Sequence, residues 1–218
     1  MSKPSPSTTT TTSTTTNNSH RHIVFLHLDL GIGGAEQLIV NLALASLQPP
    51  NPPTRVSILT THCDPHHCFD AVRPHSNGIL SKNVHVVGDW LPVTIGGLGT
   101  ALCSTIRILY LSRKAVQLFP DADVMVLDVL PTCIPYLIWR NVKCVIYYCH
   151  FPDKLLTRDT VNGVPVSSSV NSTKRGRASM MQWLKRRYRK VLDLLEEWTM
   201  TYADLICVNS EFTQIRSA

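Results

Sequence analysis

Apolar runs recur along the chain with amphipathic stretches between them. HIVFLHL (22–28), RVSILTT (55–61), VHVVG (84–88), DVMVL (123–127), KCVIYYC (143–149) and DLICV (204–208) read as strands. Most are continuous rather than alternating, the pattern of strands covered on both faces. Helical patterns fill the intervals at about 34–47, 98–118, 132–139 and 180–202. Strands alternating with helices predict an α/β fold built on a doubly wound, mostly parallel, Rossmann-like sheet. The prolines of LQPPNPP (47–53) end the first helix. The polar segment 161–179 reads as a flexible insertion. In the last helix, Leu184, Tyr188, Val191, Leu195, Trp198 and Tyr202 fall on one face. Residues 90–106 carry no charge, but Pro92 and three glycines interrupt them. That stretch is too broken for a membrane span. It reads as a buried helix, with an interfacial one as the sharper alternative.

Composition adds three limits. At 44% apolar residues the chain can bury a core, whereas residues 1–20 hold thirteen Ser or Thr and read as a disordered tail outside the fold. The tail has no apolar h-region, so it is not a secretory signal, and it lacks the arginines of an organellar transit peptide. Seven cysteines, an odd number partly inside strands and helices, suit reduced thiols in a cytosolic compartment. The sequons at Asn17 and Asn171 are then expected to go unused. The net charge of +6 is local: eight of the 21 basic residues lie between Lys174 and Lys190. Without them thirteen bases face fifteen acids, a net of −2. A local basic segment points to an anionic membrane surface or a phosphate. No nucleic-acid motif accompanies it.

Ligands of open α/β sheets sit outside the carboxyl ends of the strands. Asp29, His62, Asp89, Asp128, His150 and Asn209 occupy those ends and imply a polar cleft. In HLDLGIGGAE (27–36), Gly31, Gly33 and Gly34 permit a tight turn and close backbone approach to a phosphate or sugar. It is not a dinucleotide fingerprint, because Glu36 stands at the third glycine position and its carboxylate repels a pyrophosphate. THCDPHHCF (61–69) gathers His62, Cys63, His66, His67 and Cys68. Tetrahedral zinc draws ligand pairs from two arms, and no second arm is evident. Asp64-Pro65 reads instead as a turn that positions His62 and His67 in a substrate-facing loop. YYCHFPDKLLT (147–157) ends a buried strand with His150, followed by Asp153 and Lys154. A histidine there can give or take one hydrogen bond near neutral pH.

These motifs, with GDWLP (88–92) and RRYRKVLDLLEEWTMTYADLICVNSEFT (186–213), occur in an order that resembles the amino-terminal half of a known family. The family is that of the eukaryotic alpha-1,3/1,6-mannosyltransferases of dolichol-linked oligosaccharide synthesis, retaining enzymes of the GT-B fold in glycosyltransferase family 4. The resemblance covers about 22–215. It implies mannose transfer from GDP-mannose to mannosyl-chitobiosyl-diphosphodolichol, first alpha-1,3 and then alpha-1,6, at the cytosolic face of the endoplasmic reticulum membrane. It implies no metal and no cofactor beyond the donor, and a complex with other dolichol-pathway mannosyltransferases. Residue by residue it places His150 at the transferred mannose as the catalytic candidate. Gly33, Gly34 and Glu36 fall near the diphosphate and sugar. His62, His67, Asp153 and Lys154 fall on the substrate side. Lys185, Arg186, Arg187 and Arg189, with the 98–118 helix, become contacts for membrane and lipid diphosphate.

The chain departs from the family at one end. GT-B enzymes hold the donor nucleotide mainly in a second domain carrying Glu-x7-Glu, and no such motif occurs here. Residues 21–218 are therefore expected to form the acceptor-side domain, inactive by itself. The rival expectations are a catalytically inactive, membrane-associated binding module and a Rossmann oxidoreductase, the latter already weakened by Glu36.

Overall fold

The computed structural model describes residues 21–49, 54–95, 99–150, 160–161, 164–165 and 175–209. The side chains of 160–161, 164–165, 175–186 and 189 lie outside that description. The elements run β1 (Arg21–Asp29), α1 (Gly34–Ser46), β2 (Thr54–His62), β3 (Val84–Val86), α2 (Thr100–Leu118) and β4 (Val124–Leu127). A 3-10 turn (Pro131–Cys133) leads into α3 (Ile134–Trp139), then β5 (Val145–Cys149). The short antiparallel ribbon of β6 (Thr160–Val161) and β7 (Val164–Pro165) precedes α4 (Arg175–Met200) and β8 (Leu205–Val208). Part of the polar segment 161–179 is thus ribbon and helix, since α4 starts at Arg175. The rest lies outside the described residues.

All six expected strands form, in one sheet of order β3-β2-β1-β4-β5-β8 with every pairing parallel. This is the Rossmann-like arrangement. β1 is central because both its faces are apolar. Successive side chains alternate sides, so Phe25 joins Ile39, Val40, Ala43, Val56 and Ile58 beneath α1. Val24, Leu26 and Leu28 meet Ile108, Leu111, Ile134 and Leu137 of α2 and α3 on the other side. Two packed layers consume the whole strand, which is why the run is unbroken in the sequence.

Polar groups fasten the amino-terminal ends of the strands. The main-chain N–H of His22 donates to Asp123 Oδ2 at 2.9 Å, and Lys143 Nζ reaches Asp123 Oδ1 at 2.6 Å. Arg55 pairs with Asp121, and His22 Nε2 meets Ser57 Oγ at 3.0 Å. The opposite, carboxyl-terminal ends are left for other work.

Most of the described part of the apolar stripe on α4 faces outward; Leu195 is half-buried, and the Leu184 side chain lies outside the description. Tyr188, Val191, Trp198 and Tyr202 are exposed, and Trp198 and Tyr202 pack edge-on at 5.2 Å. Thr199 is the buried position, and Met200 leans on the core beside it. The helix meets the 3-10 turn and α3, so the side turned toward them is set by that contact and not by where its apolar residues are densest.

Leu26, fully buried in the central strand, tests the layering. Leu26→Ala is expected to lower unfolding free energy by about 2–5 kcal/mol, read from the urea midpoint. Val191→Ala on the outward stripe is expected to change it by no more than about 0.5 kcal/mol. A large loss at Val191 would restore the stripe to the core.

Candidate functional site

The chain leaves β1 for β2 and β3 on one side and returns to β4 on the other. The strand order reverses between β1 and β4, and at such a reversal a crevice opens beyond the carboxyl ends. Four titratable side chains meet there. His27, near the end of β1, sends Nδ1 to Asp128 at 2.8 and 3.0 Å from its two oxygens. Its Nε2 lies 3.8 Å from Glu36 Oε1 in the first turn of α1. Asp128 Oδ2 also takes His150 Nε2 at 3.2 Å from the end of β5. The order Glu36, His27, Asp128, His150 thus joins α1, β1, β4 and β5.

Burial grades along this relay. His27 and the Asp128 carboxylate are buried, while Glu36 and His150 are partly open, the latter with 31% of its side chain exposed. Burial alone disfavours charge on His27, but hydrogen bonds and attraction from Asp128 and Glu36 outweigh it and push its pKa up to about 10. Burial likewise works against an ionised Asp128, yet the bonds from His150 and His27 hold its carboxyl below the usual range. The bond with His27 is the main cause that lowers Glu36. At neutral pH the relay therefore reads minus, plus, minus. An ionised Asp128 only accepts, so His150 Nε2 donates to it. The other ring nitrogen is Nδ1. In the neutral ring that atom is a hydrogen-bond acceptor.

Glu36 also explains the glycine turn. A Cβ on Gly33 would lie 2.3 Å from Glu36 Oε2, so the bare backbone makes room for the folded-back carboxylate. Gly33 itself is extended, with φ −166. At Gly34 a Cβ would meet nothing within 4 Å, so this position presents open space.

The other sequence candidates divide. His62 Nδ1 pairs with Asp89 Oδ1 at 2.6 Å, and both are exposed at the strand ends. The expected turn at Asp64-Pro65 is present: the His67 N–H donates to the Asp64 carbonyl at 3.0 Å, and the His66 N–H to Asp64 Oδ1 at 2.8 Å. His67 lies against Gly31. Cys63 and Cys68 turn inward to the core while His62, His66 and His67 face outward. Burial, reinforced by Cys68, pushes the Cys63 thiol up to about 12. Among the described residues no cluster of three His, Cys, Asp or Glu is placed to hold a metal ion. Asp153 and Lys154 lie outside the described residues, as do the side chains of Lys185, Arg186 and Arg189; Arg187 is exposed. His27 was not among the sequence candidates. Its signal was a lone imidazole inside an apolar strand, and Asp128 was marked only as a strand-end residue.

The chain is 40% identical to the alpha-1,3/1,6-mannosyltransferase ALG2 of Candida glabrata over 88% of its length, covering 36% of that protein. It is 41% identical to ALG2 of Kluyveromyces lactis (88% of this chain, 33% of the relative) and 39% identical to ALG2 of Homo sapiens (88% and 39%). The chain is thus homologous to these mannosyltransferases and spans between a third and two fifths of their length. No protein-family model matches it, and no solved structure matches it significantly. Among the described residues no helix is long and apolar enough to cross a membrane.

The relay has a pH signature. A histidine whose pKa is raised on folding adds stability that is full below its unfolded value near 6.5 and lost as pH climbs through about 10. Wild-type stability is expected to fall by a few kcal/mol between pH 6.5 and 10, and His27→Gln is expected to flatten that decline. Parallel slopes in urea titrations of the two proteins would remove His27 from the account. At the turn, Gly34→Ala is expected to be neutral or stabilising by about 0.5–1 kcal/mol. Gly33→Ala is expected to displace the flexible Glu36 carboxylate at a cost of about 1 kcal/mol or less, read from the same urea titrations.

Proposed function

We propose that this chain supplies the acceptor-side wall of a retaining mannosyltransferase. The observation that carries the reading is the sequence identity of about 40% to relatives named alpha-1,3/1,6-mannosyltransferase, aligned over 88% of this chain. On this reading the donor is GDP-mannose, held mainly by a second domain. The acceptor is mannosyl-chitobiosyl-diphosphodolichol, extended in alpha-1,3 and then alpha-1,6 linkage at the cytosolic face of the endoplasmic reticulum. Other dolichol-pathway mannosyltransferases are the expected partners in a complex.

The relay supports a role for His150 in that chemistry. Its Nδ1 accepts a hydrogen bond from a hydroxyl of the transferred mannose and so fixes the ring over the crevice. Glu36, His27 and Asp128 together carry one net negative charge. That sign favours the positive charge that develops on the sugar carbon as the diphosphate departs. Gly33, Gly34 and Glu36 wall the same crevice, with Gly34 open to approach. Diphosphate neutralisation falls to other groups, since Glu36 covers its own helix start.

Two features support contact with an anionic bilayer. Leu102, Ile106 and Leu109 are exposed on the outer side of α2, with Arg113 and Lys114 one turn further on. The basic run of α4 supplies Lys185, Arg186, Arg187 and Arg189. An apolar stripe flanked by cations suits the interfacial region.

The transfer reading is tested in a chimaera, with residues 21–209 replacing the aligned segment of the Kluyveromyces lactis relative. It is expected to transfer mannose from GDP-mannose to the lipid-linked acceptor. His150→Ala is expected to reduce kcat/KM about 2- to 12-fold, the worth of one neutral hydrogen bond of about 0.5–1.5 kcal/mol. An unaltered rate removes His150 from the chemistry. The chain itself is expected to sediment with phosphatidylserine vesicles. Neutralising the four α4 cations is expected to weaken that binding a hundredfold or more, at about 1 kcal/mol per charge.

A further inference from the structure

A second polar cluster lies on the other flank of β1, away from the relay. Asp29 ends the strand with its side chain 48% exposed. Arg107, reaching from α2, is buried to 4% exposure and grips both carboxylate oxygens, Nη2 to Oδ1 at 2.5 Å and Nη1 to Oδ2 at 3.1 Å. The same Nη2 donates to Thr61 Oγ1, which donates in turn to the Leu28 carbonyl. Arg107 Nε is buried with no partner among the described residues. An ion pair whose carboxylate is half exposed and whose buried guanidinium keeps an unpaired donor adds little to stability. What the arrangement delivers is a carboxylate that cannot turn, presented at the open edge of the sheet.

Its neighbours complete a ring. Asp29 stands in register with His62 on β2, and His62 is steadied by Asp89. Beside Asp89, the Trp90 indole is 73% exposed and rests edge-on against Tyr110 at 5.8 Å between centroids. Tyr110 lies one helical turn beyond Arg107 on α2. The loop closes on α2 because Gly88 adopts φ +83 and a Cβ there would lie 2.7 Å from the Tyr110 ring.

We propose that Asp29, His62 and Trp90 form a sugar-binding subsite, with Arg107 as its positioning residue. An ionised carboxylate offers about four lone-pair positions, and Arg107 occupies two. Each carboxylate oxygen thus keeps one position that can accept from a sugar hydroxyl, and the side chain is about half exposed. His62 adds its Nε2, and the exposed Trp90 face suits the apolar C–H side of a pyranose ring, so one aromatic and two polar groups lie along the same edge of the sheet. The subsite takes a neutral hexose of the acceptor rather than its phosphate, since a fixed carboxylate repels anions. This assignment of the ligand rests on the glycosyl-transfer reading above.

The 218-residue chain, labelled with 15N, is titrated with soluble mannosyl-chitobiose. The Asp29 and His62 amides and the Trp90 indole N–H are expected to shift together. The double variant Asp29→Asn/Arg107→Met removes the buried pair as a unit and is expected to keep the rest of the spectrum while binding at least tenfold more weakly. Trp90→Ala is expected to weaken binding in parallel with an unchanged melting temperature. Absent shifts at these three positions overturn the subsite, and so does unchanged binding by the double variant. A Trp90 indole N–H signal that answers phosphatidylserine vesicles but not the trisaccharide overturns it in favour of a lipid contact. In the chimaera, the double variant is expected to raise acceptor KM about tenfold with donor KM unchanged. A chimaera that transfers mannose with unaltered acceptor KM in the variant sinks the subsite alone. One that transfers nothing, while the chain still binds the trisaccharide at Asp29, sinks the transfer reading alone.

Discussion

The pair of His27 and Asp128 is the contact on which the rest of the site depends. A buried carboxylate is unfavourable in a protein interior unless it is paired and fully hydrogen-bonded. Here His27 and His150 supply that pairing at 2.8 and 3.2 Å. A buried imidazole is likewise unfavourable as a cation unless acids stand at both nitrogens, and Asp128 and Glu36 do so. Neither charge is tenable without the other. The pair therefore fixes β4 beside β1, orients the start of α1 through Glu36, and holds His150 by its Nε2.

β1 then divides the carboxyl-terminal edge of the sheet. On the β4 side lies the relay, deeply buried and charged, which suits the proposed point of sugar transfer. On the β2 side lie Asp29, His62 and Trp90, more open and mixed in polarity, which suits the recognition of a sugar already in place. The two flanks share a strand but no side chain. Residues 27 and 29, two apart on the strand, serve the two flanks through their partners: His27 reaches Asp128 after β4, and Asp29 lies in register with His62 on β2. The glycine turn that follows them works by admitting Glu36 over Gly33, and its value lies in that carboxylate.

Much of the fold was readable in advance because parallel strands buried on both faces leave long apolar runs, and all six were recovered from them. Polar residues at strand ends were equally visible, so Asp29, His62, Asp89, Asp128 and His150 were on one edge before any geometry. Three things were hidden. His27 sits inside FLHL, where a single imidazole interrupts nothing. Arg107 reads as a solvated position of an amphipathic helix, and only tertiary packing turns it inward toward Asp29. The apolar stripe of α4 was legible, but what the helix packs against was not: the side turned inward is set by contact with the 3-10 turn and α3. In each case the deciding partner lies far away in sequence, as with the 101 residues between His27 and Asp128.

That separation also governs how the chain folds as it is made. β1 can pair with β2 once residue 62 is available, since Arg21 aligns with Thr54 and Asp29 with His62. Its other edge stays open until β4 arrives, because Ile23 aligns with Val124. At synthesis rates of about 5–20 residues per second, roughly 100 residues take on the order of 5–20 s. For that interval the nascent chain carries a central strand with one open edge and a histidine with no Asp128 to hold its proton. A segment in that condition is a natural site for chaperone capture, and the arrival of a single aspartate ends it.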